Sequence, residues 1–435
     1  MSQLRSFSRL RIQKRMWVIP TIYIVSVLIL ARLTAPLSTS MILPGVREFF
    51  SSPETATSTL SAIVSGMIAF TGIVFSMIFV MVQYGSSQYS PRVTSYFLES
   101  PVVQHALGIF IATFLYSLIT LMLIDANSSI VPDIPLLFSV LFVLGSVAMF
   151  IVLIRHIASL QVSNVLHMIG QYGRAVIEEL YPQPYRPSQQ NGDPPASLQN
   201  LPPSTQKLIY RGGPLVVVRI DLPALVELAR LADATIGVEY PVGDTIPNEA
   251  HLLTVWGGSS QIPESQLRRS VVLGVRRTVD QDLKYAMRLI VDISIKALSP
   301  SANDPTTAVQ GLDQLDDLLR RLGQRQLDIG TRYDQAGALR VVYPTPTWDD
   351  FLALALDEIR HHGASSLQVT RRLRALLQEL ERLLPTERRR AVKNHLMRLE
   401  ASVERSFIDD DERAEAEQAD RQGLGLSARR RFGGE

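Results

Sequence analysis

The chain has 435 residues, with 43 basic and 41 acidic side chains, a formal net charge of +2 and no cysteine. So even a balance leaves no basic footprint for nucleic acid. Without cysteine, disulfides, thiolate catalysis and Cys-ligated zinc or iron–sulfur centres are excluded.

The positive mean hydropathy of +0.14 originates in the N-terminal third, because charged residues nearly vanish between Met16 and Ile154. Four apolar runs begin near Trp17, Leu60, Ala106 and Ile134. Each is about 17–24 residues long, enough for a helix to cross ~30 Å of hydrocarbon. Arg5, Arg9, Arg11, Lys14 and Arg15 precede the first run. No small-residue cleavage site follows it, so it reads as a signal-anchor helix. The basic N-terminus belongs in the cytoplasm by the positive-inside rule. The loop holding Asp125 carries acid and no base, and Arg155 and His156 close the fourth run. Four crossings then put both termini inside.

The expected fold is an α-helical membrane protein, with four transmembrane helices followed by a cytoplasmic α+β region. Its parts in order are a basic N-terminus (1–16), the transmembrane domain (17–156) and a helical extension (157–181). A Pro-rich linker (182–205) leads to a small β-rich module (206–260), a helical domain (261–407) and a charged disordered tail (408–435).

The first, third and fourth runs read as ordinary spans. The second has no proline between Thr57 and Ser90 and would be about 50 Å long as one helix. At 100° per residue, Ser61, Ser65, Ala69, Gly72, Ser76, Phe79, Gln83, Ser87 and Ser90 fall on one stripe. Small residues four apart let membrane helices approach closely, so the stripe can be a packing face. The alternative is a wetted face lining a pore, with Phe79 as a hydrophobic constriction and Gln83 as a polar ring. No charge lies at the centre of any run, which argues against a proton relay built on buried carboxylates.

Beyond the linker, turn glycines Gly212 and Gly213 separate two β-rich runs. Asp221 and Pro223 start a short helix. A Val242–Gly243–Asp244 turn lies between two further strands. This order resembles the barrel-sandwich modules of biotinyl and lipoyl type, without their carrier lysine.

The rest reads as helices over Thr278–Leu298, Pro305–Leu322, Thr347 onward, Ser366–Leu383 and Thr386–Phe407. Asp280, Lys284, Arg288, Asp292 and Lys296 recur every four residues, a stripe of alternating charge on one helix. The SPSANDP turn after it makes Asp304 the N-cap and Pro305 the first-turn proline of the next helix. Arg288, Asp292, Ser299, Asn303 and Asp304 form the candidate cytoplasmic site, for an ion or a small ligand. A solvated salt-bridge ladder at a rigid corner is the alternative.

Three stretches carry a resemblance: SSQYSPR at 86–92, RTVDQDLKYAMRLIVDISIKALSPSANDPTTAVQ at 277–310, and RVVYPTPTWDDFLALALDEIRHHG at 340–363. Together they resemble an uncharacterised bacterial family of predicted membrane proteins, domain-of-unknown-function family 2254. The resemblance implies a bacterial inner-membrane protein and supplies no activity. It marks Gln88, Ser90, Pro91, Arg92, Ser299, Pro300, Asn303, Asp304 and Pro305 as family-like.

No P-loop, H-E-x-x-H or G-x-S-x-G pattern is present. GLGLSA at 423–428 lacks the strand a dinucleotide fingerprint needs. His361 and His362 end a helix, where the dipole favours them. The basic turn at 387–393 reads as a solvated face. No catalytic residue, metal ligand or cofactor is expected. Two functions compete. One is an oligomeric channel lined by the second span, with a cytoplasmic regulatory domain. The other is a membrane-anchored ligand-binding or signalling module without transport. The expected partners are the lipid bilayer and further copies of the chain.

Overall fold

The computed structural model describes residues 17–35, 53–89, 92, 100–124, 133–158, 161–187 and 201–425. The chain forms two compact units, Met1–Gln161 and Val162–Glu435.

The first unit is helical: α1 (Val18–Thr34), α2 (Pro53–Gln88), α3 (Pro101–Met122) and α4 (Asp133–Ala158). Helices α2, α3 and α4 are long and apolar enough to cross a membrane, and α1 is a shorter apolar helix. The 36 residues of α2 extend about 54 Å at 1.5 Å per residue. The other three helices all pack on α3. Its buried face carries Gln104, Gly108, Ala112, Thr113, Tyr116, Ser117 and Thr120. A Cβ at Gly108 would lie 2.6 Å from Cδ2 of Tyr23 in α1, so only glycine admits that ring. Hydroxyl pairs join the helices, Thr34 to Tyr116 at 3.0 Å and Thr113 to Ser146 at 2.8 Å. The third run is therefore not an ordinary span. Its small and hydroxyl residues form the packing seam within the chain, where close approach makes such bonds effective.

The second unit begins with α5 (Val162–Leu180), so the helical extension belongs with this unit. Strands β1 (Ser204–Ile209) and β2 (Leu215–Ile220) lead to α6 (Leu222–Leu231). Then come β3 (Ala234–Val238), β4 (Thr245–Ile246), β5 (His251–Gly257), α7 (Glu264–Arg269) and β6 (Val271–Gly274). Helices α8 (Leu283–Ala297) and α9 (Pro305–Leu322) precede β7 (Thr331–Tyr333) and β8 (Leu339–Val342). The chain continues as α10 (Trp348–His362), α11 (Leu367–Leu383), α12 (Thr386–Ser406) and α13 (Asp410–Ala416).

The strands make a five-stranded sheet, β1-β5-β3-β8-β7, and a three-stranded sheet, β4-β2-β6. Strands β1 and β2, flanking Gly212–Gly213, enter different sheets rather than one hairpin. β8 pairs in parallel with β3 through Ile236↔Val341, and β6 pairs with β2. The β-rich module is thus not confined to 206–260. The stretch 261–407 lends three strands to it, because the open edges of β2 and β3 need backbone partners. The parallel pair and split strands also depart from a sandwich of local hairpins.

Beside the sheets, α8 is buried on most of its circumference, from Leu283 to Ala297. It packs against α5, α9 and α10. The start of the Pro-rich segment is fixed rather than free. Tyr185 N donates to Gln324 O at 2.7 Å and Gln326 N to Gln183 O at 2.9 Å. The tail is likewise ordered to residue 425. Ala416 is fully buried, and Glu415 Oε2 accepts from Arg371 Nη2 at 2.9 Å. Asp420 N donates to Arg371 O. Charge along 408–425 suggested disorder, but apolar Ala416 and the paired acids anchor it; residues 426–435 lie outside the described residues.

Candidate functional site

Every described side chain of the second-span stripe is exposed within the chain: Ser61, Ser65, Ala69, Gly72, Ser76, Phe79 and Gln83. The opposite face of α2, with Ala56, Leu60, Met67, Val74, Ile78 and Met81, is buried. Phe70 on that side meets Phe110 of α3 and Phe150 of α4, with ring centroids 5.1 and 4.8 Å apart. A Cβ at Gly72 would meet nothing within 4 Å. Ala69, Gly72, Ser76 and Val80 line an open groove of about 700 Å³ that reaches Ile157 of α4. The Ser76 hydroxyl donates to Gly72 O at 3.0 Å. The side chain of Ser87, and Ser90 and Pro91, lie outside the described residues.

The candidate cytoplasmic residues separate into two groups. Arg288 is tied to Asp292, at 2.7 Å, and to Glu358 of α10. That contact holds the Glu358 carboxyl below the usual range. Asp292 is buried, so the pair staples α8 to α10 rather than forming a solvated ladder. Asp280 lies outside the helix, because Asp282 takes the N-cap and accepts from Tyr285 N at 2.9 Å. Ser299, Asn303 and Asp304 lie beyond the other end of α8, some ~15 Å from Arg288 by helix rise. Asp304 is committed to α9: its Oδ1 accepts from Thr307 N at 3.1 Å and its Oδ2 from the Thr307 hydroxyl at 2.6 Å. Asn303 adopts φ +43, one residue before the cap. This is a rigid corner, with the cap bonds already made.

A cleft with a cavity volume of about 80 Å³ lies between the sheets and the helices of the second unit. The end of α5 (Leu180, Tyr181), the start of α8, the Val242 turn and the segment 343–346 form its walls. Asp282 sits at its polar side and accepts from Arg277 Nε at 2.9 Å and Nη2 at 2.7 Å. Burial raises the Asp282 carboxyl above its ordinary range, against the pull of Arg277. Gly243, at φ +95, makes this pairing possible: a Cβ there would lie 2.3 Å from Asp282 Oδ2. Lys284 meets Asp244 at 3.7 Å. Burial also raises the phenols of Tyr181 and Tyr343. The Val-Gly-Asp turn and YPTPT at 343–347 were visible in the sequence, but nothing local brings them together.

A set of buried arginines on α11 escaped sequence reading. Arg372 bridges Asp313 and Asp316, both at 2.8 Å. Asp316 also pairs with Arg320, which reaches Glu379. Among the described residues no three His, Asp or Glu side chains are grouped to hold a metal.

The profile of a family described as predicted membrane protein, DUF2254, matches residues 13–379. The chain belongs to that family. The DUF2254 match covers α1 through most of α11, and so includes both the α2 stripe and the cleft. Uncharacterized proteins of Mycobacterium bovis and Mycobacterium tuberculosis are each 28% identical over 378 residues. The alignment covers 84% of this chain and 71% of each relative. No solved structure matches. The corner at 299–305 lies inside the matched DUF2254 segment, where its geometry gives it a capping role.

Proposed function

We propose that this DUF2254 protein is a four-span inner-membrane protein with both termini in the cytoplasm. It assembles as a homo-oligomer through α2, whose small, hydroxyl-bearing face lines a shared conduit, and its second unit regulates that conduit. The observation that supports this reading is the exposure of every described side chain of the stripe while the opposite face of the same helix is packed. Lipid tails gain little from facing Ser61, Ser65, Ser76 and Gln83. A second α2 can approach closely over Ala69 and Gly72, and its polar groups can complete the hydroxyl bonding. Phe79, 62% exposed, then supplies a ring of large apolar side chains, the kind of constriction that gates by dewetting.

Ion flux through liposomes reconstituted with the full chain tests the reading. Phe79→Ala is expected to raise flux several-fold and Gln83→Glu to shift it toward cations. No flux, from a protein that is monomeric in detergent, would overturn it.

A further inference from the structure

The segment 408–425 is held on α11 by charge rather than by apolar packing. Between Asp409 and Asp420 it carries seven acids and one base. Its two large apolar side chains, Ile408 and Leu424, are 91% and 52% exposed. Within it only Ala416, Asp420 and Gly423 are buried. One alanine and one glycine remove little apolar surface from water, so hydrophobic burial contributes little to holding the segment down.

Arg371 of α11 is the main anchor. Its Nε donates to Glu415 O at 2.7 Å and its Nη2 to Glu415 Oε2 at 2.9 Å. Farther along, Arg421 pairs with Glu379 at 2.5 Å, and Arg320 of α9 bonds the same carboxylate. Burial raises the Glu379 carboxyl, but the hydrogen bonds from these two arginines outweigh it and leave the group below its usual range. The end of the segment lies so close to α11 that it needs glycine. Gly423 has φ +71, and a Cβ there would collide with Gln368 O. The glycines of GLGLSA thus serve close approach rather than a dinucleotide. On the segment's side both ion pairs are open to water, since Glu415 is 57% and Arg421 74% exposed. Such pairs contribute little and are screened by salt. A segment with few apolar contacts opens locally far more often than the surrounding domain unfolds. Arg371, 8% exposed while covered, then loses both oxygens that its guanidinium binds.

We propose that residues 408–425 are a releasable strap, occupying within the chain a docking site on α11 for an acidic peptide segment of a partner protein. Displacing the strap opens that site. Glu415 displays the chemistry the site takes, a carboxylate and a backbone carbonyl on one guanidinium. Arginine's planar fork suits that pair of acceptors.

Hydrogen–deuterium exchange of the full chain in uncharged detergent tests the opening. Amides of 411–423 should exchange together, well before those of α11 and α12. Raising the salt from about 50 mM to about 1 M should speed them about threefold to tenfold. Gly423→Val leaves every charge in place and should speed them at least about tenfold at low salt, with α12 unchanged. A fluorescent peptide of residues 408–425 then reports on the uncovered site. With an effective concentration on the order of 1 mM for the tethered strap, the free peptide should bind Gly423→Val saturably with a Kd of about 10–100 µM. Wild type should bind it at least about tenfold more weakly, because its own strap competes. Adding Arg371→Gln to Gly423→Val should weaken binding at least about tenfold. The proposal is overturned by strap amides that exchange as slowly as those of α12 or regardless of salt. It is equally overturned by absence of peptide binding to Gly423→Val, by equal binding to wild type, or by binding that persists without Arg371.

Discussion

Arg388, with no acidic partner among the described residues, closes a helical layer through carbonyls and aromatic rings. Its Nη1 donates to Leu322 O at 2.9 Å and its Nη2 to Arg325 O at 2.6 Å, so it caps the carbonyl end of α9. The guanidinium lies over the rings of Tyr185 and Trp348, at 4.6 and 5.4 Å. Burial pulls its pKa down to about 10, still well above neutrality. Arg388→Ala removes two charge-assisted hydrogen bonds, to Leu322 O and Arg325 O, and should cost about 3 kcal/mol, read as a lowered denaturation midpoint of the full chain. Arg388→Lys should recover only part of it, because an ammonium cannot make the same fork. The sequence hid this residue inside ERRRAVK, which read as a solvated basic turn. Local charge density does not tell which arginine in a run points inward. His395 gives a pH-dependent counterpart. It is buried, and desolvation lowers its pKa. Asp357, 3.5 Å from Nδ1, pulls the other way, while Arg398 and Arg360 oppose protonation. The folded value therefore lies below the unfolded ~6.5. The corresponding stability is present above pH ~6.5 and is lost as pH falls through the folded value. Thermal midpoints between pH 8 and 5 should fall less steeply for His395→Gln; an unchanged slope would contradict the assignment.

At the level of elements, glycines on α2 and α3 make opposite predictions. Gly108 is filled by Tyr23, and Gly72 faces open space. Gly108→Leu should separate α1 from α3, lowering the yield and thermal midpoint of the protein in detergent, with Tyr23→Ala restoring part of the loss. Gly72→Leu should leave the fold of one chain intact and weaken only association. The sequence placed most of these elements well, because capping chemistry is local. Asp221, Asp304, Thr347 and Ser366 each cap the helix they announce. The start of α8 was misplaced at Thr278, because Asp282 competes as cap and is stabilised by Arg277 across a loop. The packing role of α3 was missed for a related reason. Its Gln, Gly, Thr and Ser are diluted among large apolar residues, and only the neighbouring helices reveal which face is buried.

For the whole molecule, patterning along the chain separated an apolar region from a mixed α+β region, and the two compact units follow that division closely. What patterning could not give was long-range pairing. The parallel join of β3 to β8 spans about a hundred residues, and it helps assemble the segments that form the cleft. The stripe on α2 was legible from periodicity alone, but whether it was packed within the chain was not. That exposure supports an assembly of several copies through α2. Because the chain has no cysteine, one introduced thiol reports on contact between copies without background. The most direct measurement is oxidative cross-linking of Ser76→Cys in native membranes, beside Phe75→Cys, which is also exposed but about 100° around the helix. The account predicts efficient covalent dimers at position 76, and at Ser65→Cys, at least about tenfold above those at 75. Equal or absent cross-linking at all three positions, with a monomeric mass in detergent, would contradict it.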